Sequence, residues 1–350
     1  MRIDKNTTIK LGERNIIKIK IGDRVIWEKK TEPEIDYFYI ENTYAGENTV
    51  TFKTYKSGTL PSYSKYAEKI EYSTDKRNWN TLTFNTSTPQ TITIESGEKL
   101  YLRNDSGGFN YYDNISYYTN IRTSQNCVIG GNINTLINYN DVDNVKLTGD
   151  YGCFYKLFYS AVYITDASNL IIPSTTIKNS YCMEMFHYCS SLVNAPELPA
   201  TTLAPYCYWG LFSDCSSLVN APTLPATTLA EGCYRELFSG CSSLVNAPTL
   251  PATTLVPYCY MELFYGCSSL VNAPELPAKV LVVQCYMATF QYCSKLNNIT
   301  VYANDISAYE CTRNWLSNVA SSGTLHNMGS ATYVTDSGDG IPSGWTEVKS

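Results

Sequence analysis

The sequence predicts a multidomain chain: an N-terminal all-β portion, in the form of a β-sandwich, followed by an α/β solenoid with a 26-residue period. Three observations carry this. Cys189, Cys215, Cys241, Cys267 and Cys293 lie one period apart, as do Leu192, Leu218, Leu244, Leu270 and Leu296. Such a period marks units that bury their apolar faces on one another. Six short alternating segments with polar turns between them occupy residues 37–103. Before them, a basic opening segment alternates apolar and charged side chains.

Residues 1–33 read as a small β docking segment, built from Thr8–Gly12, Ile17–Asp23 and Val25–Trp27, with a linker from Lys29 to Glu34. Its candidate docking side chains are Ile17, Ile19, Ile21, Val25 and Trp27. Residues 34–113 form the expected immunoglobulin-like sandwich. Its strand candidates are 37–40, 49–52, 69–72, 81–84, 91–94 and 100–103, and Trp79 is expected to plug the core. Residues 114–150 are expected to cap the solenoid at its first coil. The repeats follow over 151–312, and residues 313–350, with Trp315 and Leu316, close the far end.

Within one unit, Cys207, Leu211, Cys215 and Leu218 fall within an arc of roughly 80° on a helix. A short helix is therefore expected, then a brief strand at Leu218–Ala221 that Pro222 and Pro225 terminate. Asn194, Asn220, Asn246, Asn272 and Asn298 form a column expected to link successive coils. Positions that change from unit to unit are free of this packing, so they are where a partner would be read. Among them, Tyr188, Trp209, Arg235, Met261, Tyr265 and Tyr292 are the candidate partner-binding residues.

Composition narrows the function classes. The first thirty residues carry nine Lys/Arg against four acids within a chain of net charge −6. Their alternation with Ile and Val fits a solvated strand face rather than a nucleic-acid arm. No apolar run is long enough to span a membrane, and Met1–Lys5 lacks a secretory core. Twelve of the thirteen cysteines lie in the repeats. Cys207 and Cys215 would stand about 12 Å apart along a helix, too far for a disulfide. The cysteine spacing fits no zinc pattern, and His187 and His326 are too few histidines to complete one. The columns therefore read as buried free thiols. No nucleophile–base pair and no phosphate-binding glycine loop is present, which points away from an enzyme and from any cofactor.

The unit Cys-Tyr-x-x-Leu-Phe-x-x-Cys-Ser-Ser-Leu-Val-Asn-Ala-Pro-x-Leu-Pro-Ala-Thr-Thr-Leu resembles the BspA-like leucine-rich repeats of Bacteroidetes and their phages. It departs from the commoner leucine-rich signature, which sets Leu-x-Leu before Asn or Cys. Ile70–Asp75 and Gly97–Arg103 are similar to the β-sandwich module joined to such repeats, and Gly340–Thr346 to the tail that closes them. Together the resemblance spans residues 37–347. Lys18–Glu28 is similar to the start of phage structural proteins. The resemblance implies a leucine-rich-repeat solenoid used for surface recognition and adhesion, with no catalytic residue. The expected function is that of a phage virion component, tail- or fibre-associated, for host attachment. The N-terminal segment would contact other virion proteins, and the repeats a host surface glycan or protein. Homo-oligomerisation fits the same role. The alternative is a bacterial cell-surface adhesin or carbohydrate-binding protein.

Overall fold

The structure is a computed structural model that describes residues 18–21, 24–28, 35–56, 69–84, 87–105, 111–112, 116–142, 152–172, 177–335 and 338–349. Residues 1–36 and 37–350 form two separate units. In the first, β1 (Lys18–Ile21) and β2 (Arg24–Glu28) make an antiparallel pair with an irregularity between Ile19 and Lys20. The expected strand at Thr8–Gly12, the linker and Ile17 lie outside the described residues.

The second unit opens with β3 (Phe38–Asn42), β4 (Asn48–Lys56), β5 (Lys69–Ser73), β6 (Asn80–Thr83), β7 (Gln90–Ile94) and β8 (Lys99–Arg103). These are the six segments whose alternation predicts strands. The chain continues through β9 (Tyr111–Tyr112), β10 (Ser116–Thr123), β11 (Cys127–Asn132), a four-residue helix α1 (Thr135–Asn138) and β12 (Ile164–Ile171). Two sheets result, ordered β7-β4-β10-β9 and β12-β11-β3-β8-β5-β6. Phe38, Ile40, Val50, Phe52, Ile70, Ile94, Leu100 and Ile121 are buried in their shared core. Residues 116–132 thus supply strands to both sheets, past the expected boundary at 113, instead of forming a separate cap. Trp79 is not the core plug. It is half-buried, with its ring 4.9 Å from Tyr37 and the Arg103 guanidinium 3.8 Å above it. Stacking under a cation lets an indole keep one wet edge, and Nε1 donates to the Lys76 carbonyl.

The sheet and the repeats are continuous. β12 pairs in parallel with β11, and Asp166 on β12 bridges in parallel to Asn194 of the next unit. The core is continuous too. Phe38 of β3 stacks on Phe158, which begins a column through Phe186, Phe212, Phe238, Phe264 and Phe290 at 5.3–5.9 Å centroid spacing. Tyr208, Tyr234, Tyr260 and Tyr286 make a parallel column at 5.9–6.1 Å. The first coil is covered by the sandwich itself.

The helix expected in each unit is absent. Its place is taken by consecutive turns in which N–H groups alternate in direction. Cys207, Trp209, Leu211, Ser213 and Cys215 close turns onto the residue three before, while Tyr206, Tyr208, Gly210, Phe212 and Asp214 donate to carbonyls of the next coil. Every fourth residue has left-handed backbone: Tyr206, Gly210 and Asp214 in this unit, then Gly232, Glu236 and Gly240. Pro205 and Pro257 precede such residues, as turn chemistry favours. A four-residue repeat drifts only about 40° per step from a helix, so apolar spacing over nine residues cannot separate the two.

All thirteen cysteines are free and buried. In the second column the thiols of Cys215, Cys241, Cys267 and Cys293 lie 3.0–3.2 Å from the carbonyls of Phe186, Phe212, Phe238 and Phe264. A thiol fills a small apolar space and still donates weakly, which explains cysteine over alanine. At the far end β13 (Asn298–Val301), β14 (Gly323–Asn327) and β15 (Trp345–Lys349) pair in parallel. Trp315 is buried there, donating from Nε1 to the Gly340 carbonyl.

Candidate recognition surface

Two of the left-handed files in the turns lie near the candidate residues, and the second carries the exposed Tyr188 and Tyr292. One holds Glu184, Gly210, Glu236, Glu262 and Ala288; the other holds Tyr188, Asp214, Gly240, Gly266 and Tyr292. In the second file each N–H donates to the coil after it: Tyr188 to Ser213, Asp214 to Ser239, Gly240 to Tyr265, Gly266 to Gln291. These residues therefore form one straight row across five coils. Of the six candidate partner-binding residues, two lie in this row and four flank the files.

Tyr188 in this row adjoins a charged aromatic cluster. His187 sits with Nε2 3.3 Å from an Asp214 carboxylate oxygen and Nδ1 3.7 Å from Glu184, which also faces Lys156 Nζ at 3.2 Å. Burial pushes the His187 pKa below its ordinary value, outweighing the pull of Glu184 and Asp214. Burial also opposes the Lys156 charge, but the Tyr155 hydroxyl and Glu184 overcome it and hold that pKa above the usual lysine value. Rings from Tyr159 and Tyr188 meet edge to face at 5.7 Å, and Tyr188 is exposed.

Farther along, the Arg235 guanidinium lies 4.7 Å over the Trp209 ring and bonds Glu236 from Nε at 2.9 Å. Trp209 and Arg235 are thus half-buried and held by each other. Met261 is nearly buried, at 9% exposure, and offers little to a partner. Burial raises the neighbouring Glu262 pKa, with Glu236 adding to it. Beside the row, Tyr265 meets the exposed Tyr292 edge to face at 5.2 Å.

Ile19, Ile21, Val25 and Trp27 lie on the β1–β2 pair, where Ile19 stands opposite Trp27. The sequence reading missed the left-handed files, although Gly210 with Asp214, four apart, and Gly232 with Gly240, eight apart, carry that signal within their units. It also missed that invariant Val193, Val219, Val245 and Val271 are exposed. The asparagine column does link coils where Asn246 donates to Asn220 at 2.9 Å and Asn194 to Asp166 at 2.6 Å. Among the described residues no group of three His, Cys, Asp or Glu is placed to hold a metal, and no helix is long and apolar enough to cross a membrane. No protein-family model, curated protein or solved structure matches the chain.

Proposed function

We propose that this chain is a non-enzymatic recognition protein whose BspA-like repeat array displays the turn row to a partner on a host cell. In this reading the chain is a virion component, tail- or fibre-associated, with residues 1–33 as its docking segment. One observation supports it above the others: the residues that vary between units include the exposed Tyr188 and Tyr292, on turn positions of a backbone hydrogen-bonded from coil to coil. Variable side chains on such a scaffold suit partner reading. The likeness of Lys18–Glu28 to phage structural proteins, and their folding into a unit apart from the repeats, supports the docking role. The test is twofold. Purified full-length chain should bind Bacteroidetes host cells and compete with phage adsorption. Cross-linking of intact particles should join residues 18–28 to another virion protein. Binding to cells without any trace of the chain in particles would favour the surface-adhesin alternative, and binding to neither would refute recognition.

A further inference from the structure

Tyr188 and Tyr292 adopt left-handed backbone, φ 62° and 64°, at a position that Gly240 and Gly266 fill in the coils between them. A bulky side chain is strained there, and both rings stay well exposed, at 45% and 46%. Tyr206 shares the conformation but has a structural return: its hydroxyl bonds Glu231 and its ring covers Gly232. Each ring packs on one side only, Tyr188 against Tyr159 and His187 and Tyr292 against Tyr265, so the row carries two exposed aromatic faces four coils apart.

Between the two rings the row is low. Asp214, Gly240 and Gly266 occupy it, and Ser213 and Ser239 flank it. Four coil steps at a sheet spacing of about 4.8 Å separate the tyrosines by roughly 19 Å. The polar groups along this strip are mostly acceptors. Asp214 lies on it and Glu262 stands in the neighbouring file, whereas the cations Lys156 and Arg235 are engaged by Glu184 and Glu236.

Resting on the recognition reading above, we propose that this strip binds a neutral polysaccharide strand lying along the coil axis. The apolar faces of two sugar rings would cover Tyr188 and Tyr292, and hydroxyls between them would donate to Asp214. Tyrosine offers an apolar face with a polar tip, suited to a ring that is itself apolar on one side and hydroxylated at its rim. The length of a pyranose unit is close to one coil step, so successive sugars meet successive coils. With Lys156 and Arg235 paired to Glu184 and Glu236, the carboxylates select against sialylated, uronic or sulfated chains. A peptide partner would instead need a pocket for a buried anchor, and the strip is floored by glycine and serine.

The experiment uses full-length protein and the variants Tyr188→Gly, Tyr292→Gly and their double. Each is applied to a printed array of neutral, sialylated and sulfated oligosaccharides, and to host cells before and after periodate oxidation. The expected result is binding to neutral glycans only and loss of cell binding after periodate. The double variant should lose at least about tenfold in affinity while its thermal midpoint stays the same or rises. Undiminished glycan binding by the double variant, or a fall in its midpoint, overturns the assignment of these rings. Cell binding that survives periodate but needs both tyrosines overturns the glycan and leaves recognition standing with a protein partner. Absence of cell binding by the unmodified chain refutes both.

Discussion

Replacing Gly266 by alanine separates the turn ribbon from the helix that the apolar spacing predicts, because the two give opposite signs. Gly266 has φ 72°, its N–H donates to Gln291, and an added Cβ would meet only Gly240 backbone at 3.8 Å. Space is therefore not in question; only the backbone is. Left-handed backbone costs alanine about 1–2 kcal/mol. Restricting the unfolded chain returns roughly 0.4–1 kcal/mol, leaving a net loss of about 1 kcal/mol by these figures. In a helix interior the same change would stabilise by about 0.8–1.0 kcal/mol. The readings differ by roughly 2 kcal/mol on those values, well beyond the error of paired urea titrations with matched slopes. Gly240→Ala provides the second point. It has the same φ, but its Cβ would collide with the Asp214 carboxylate, so its loss should be larger. A urea midpoint that rises for Gly266→Ala would refute the ribbon.

Phe238 is fully buried between Phe212 at 5.9 Å and Phe264 at 5.8 Å. Phe238→Ala should cost about 3–5 kcal/mol in urea unfolding, while Val245→Ala, exposed in the same coil, should stay within about 0.5 kcal/mol. Burial raises the thiol pKa of Cys127 to about 11 and of Cys153 and Cys233 to about 12. Native protein at pH 8 should therefore resist a thiol-reactive dye, and urea should expose all thirteen cysteines. His187 has its pKa lowered by burial from 6.5. The unfolded chain then takes up the proton first as pH falls. The stability present above pH 6.5 should decline below it, down to the folded pKa, and His187→Gln should flatten that slope in melts across this range.

The sandwich strands were legible because Phe38, Ile40, Val50 and Phe52 alternate with polar neighbours, and a period of two has one structural meaning. Their sheet order was not. Parallel pairing of Cys127 with Ile164 joins strands remote in sequence, and no local pattern announces it. The 26-residue period was equally plain, yet the conformation inside it was not. Cys207, Leu211 and Cys215 sit on one side of either a helix or a four-residue turn ribbon. Of the candidate site residues, variation picked out Tyr188 and Tyr292, whose exposure follows from lying on outward turns. It misjudged Met261, because a position can vary between units and still be covered by neighbouring side chains.

The hydrogen-bond pattern explains why variation is tolerated where it occurs. Each turn segment directs alternate N–H groups along the coil axis and the others into its own turns, so backbone donors are satisfied without help from outward side chains. A helix would instead leave unpaired groups at both ends of every unit and would require caps there. Identity at the outward positions is then limited mainly by the left-handed files, which favour glycine. Glutamate, aspartate and tyrosine in those files depart from the least strained choice. The buried Phe, Cys and Leu columns absorb that strain through contacts on both sides. Departures from glycine that also remain exposed are consequently the most informative residues of the array. Tyr188 and Tyr292 meet both conditions, whereas Trp209 and Arg235, on flanking positions and held by each other, do not.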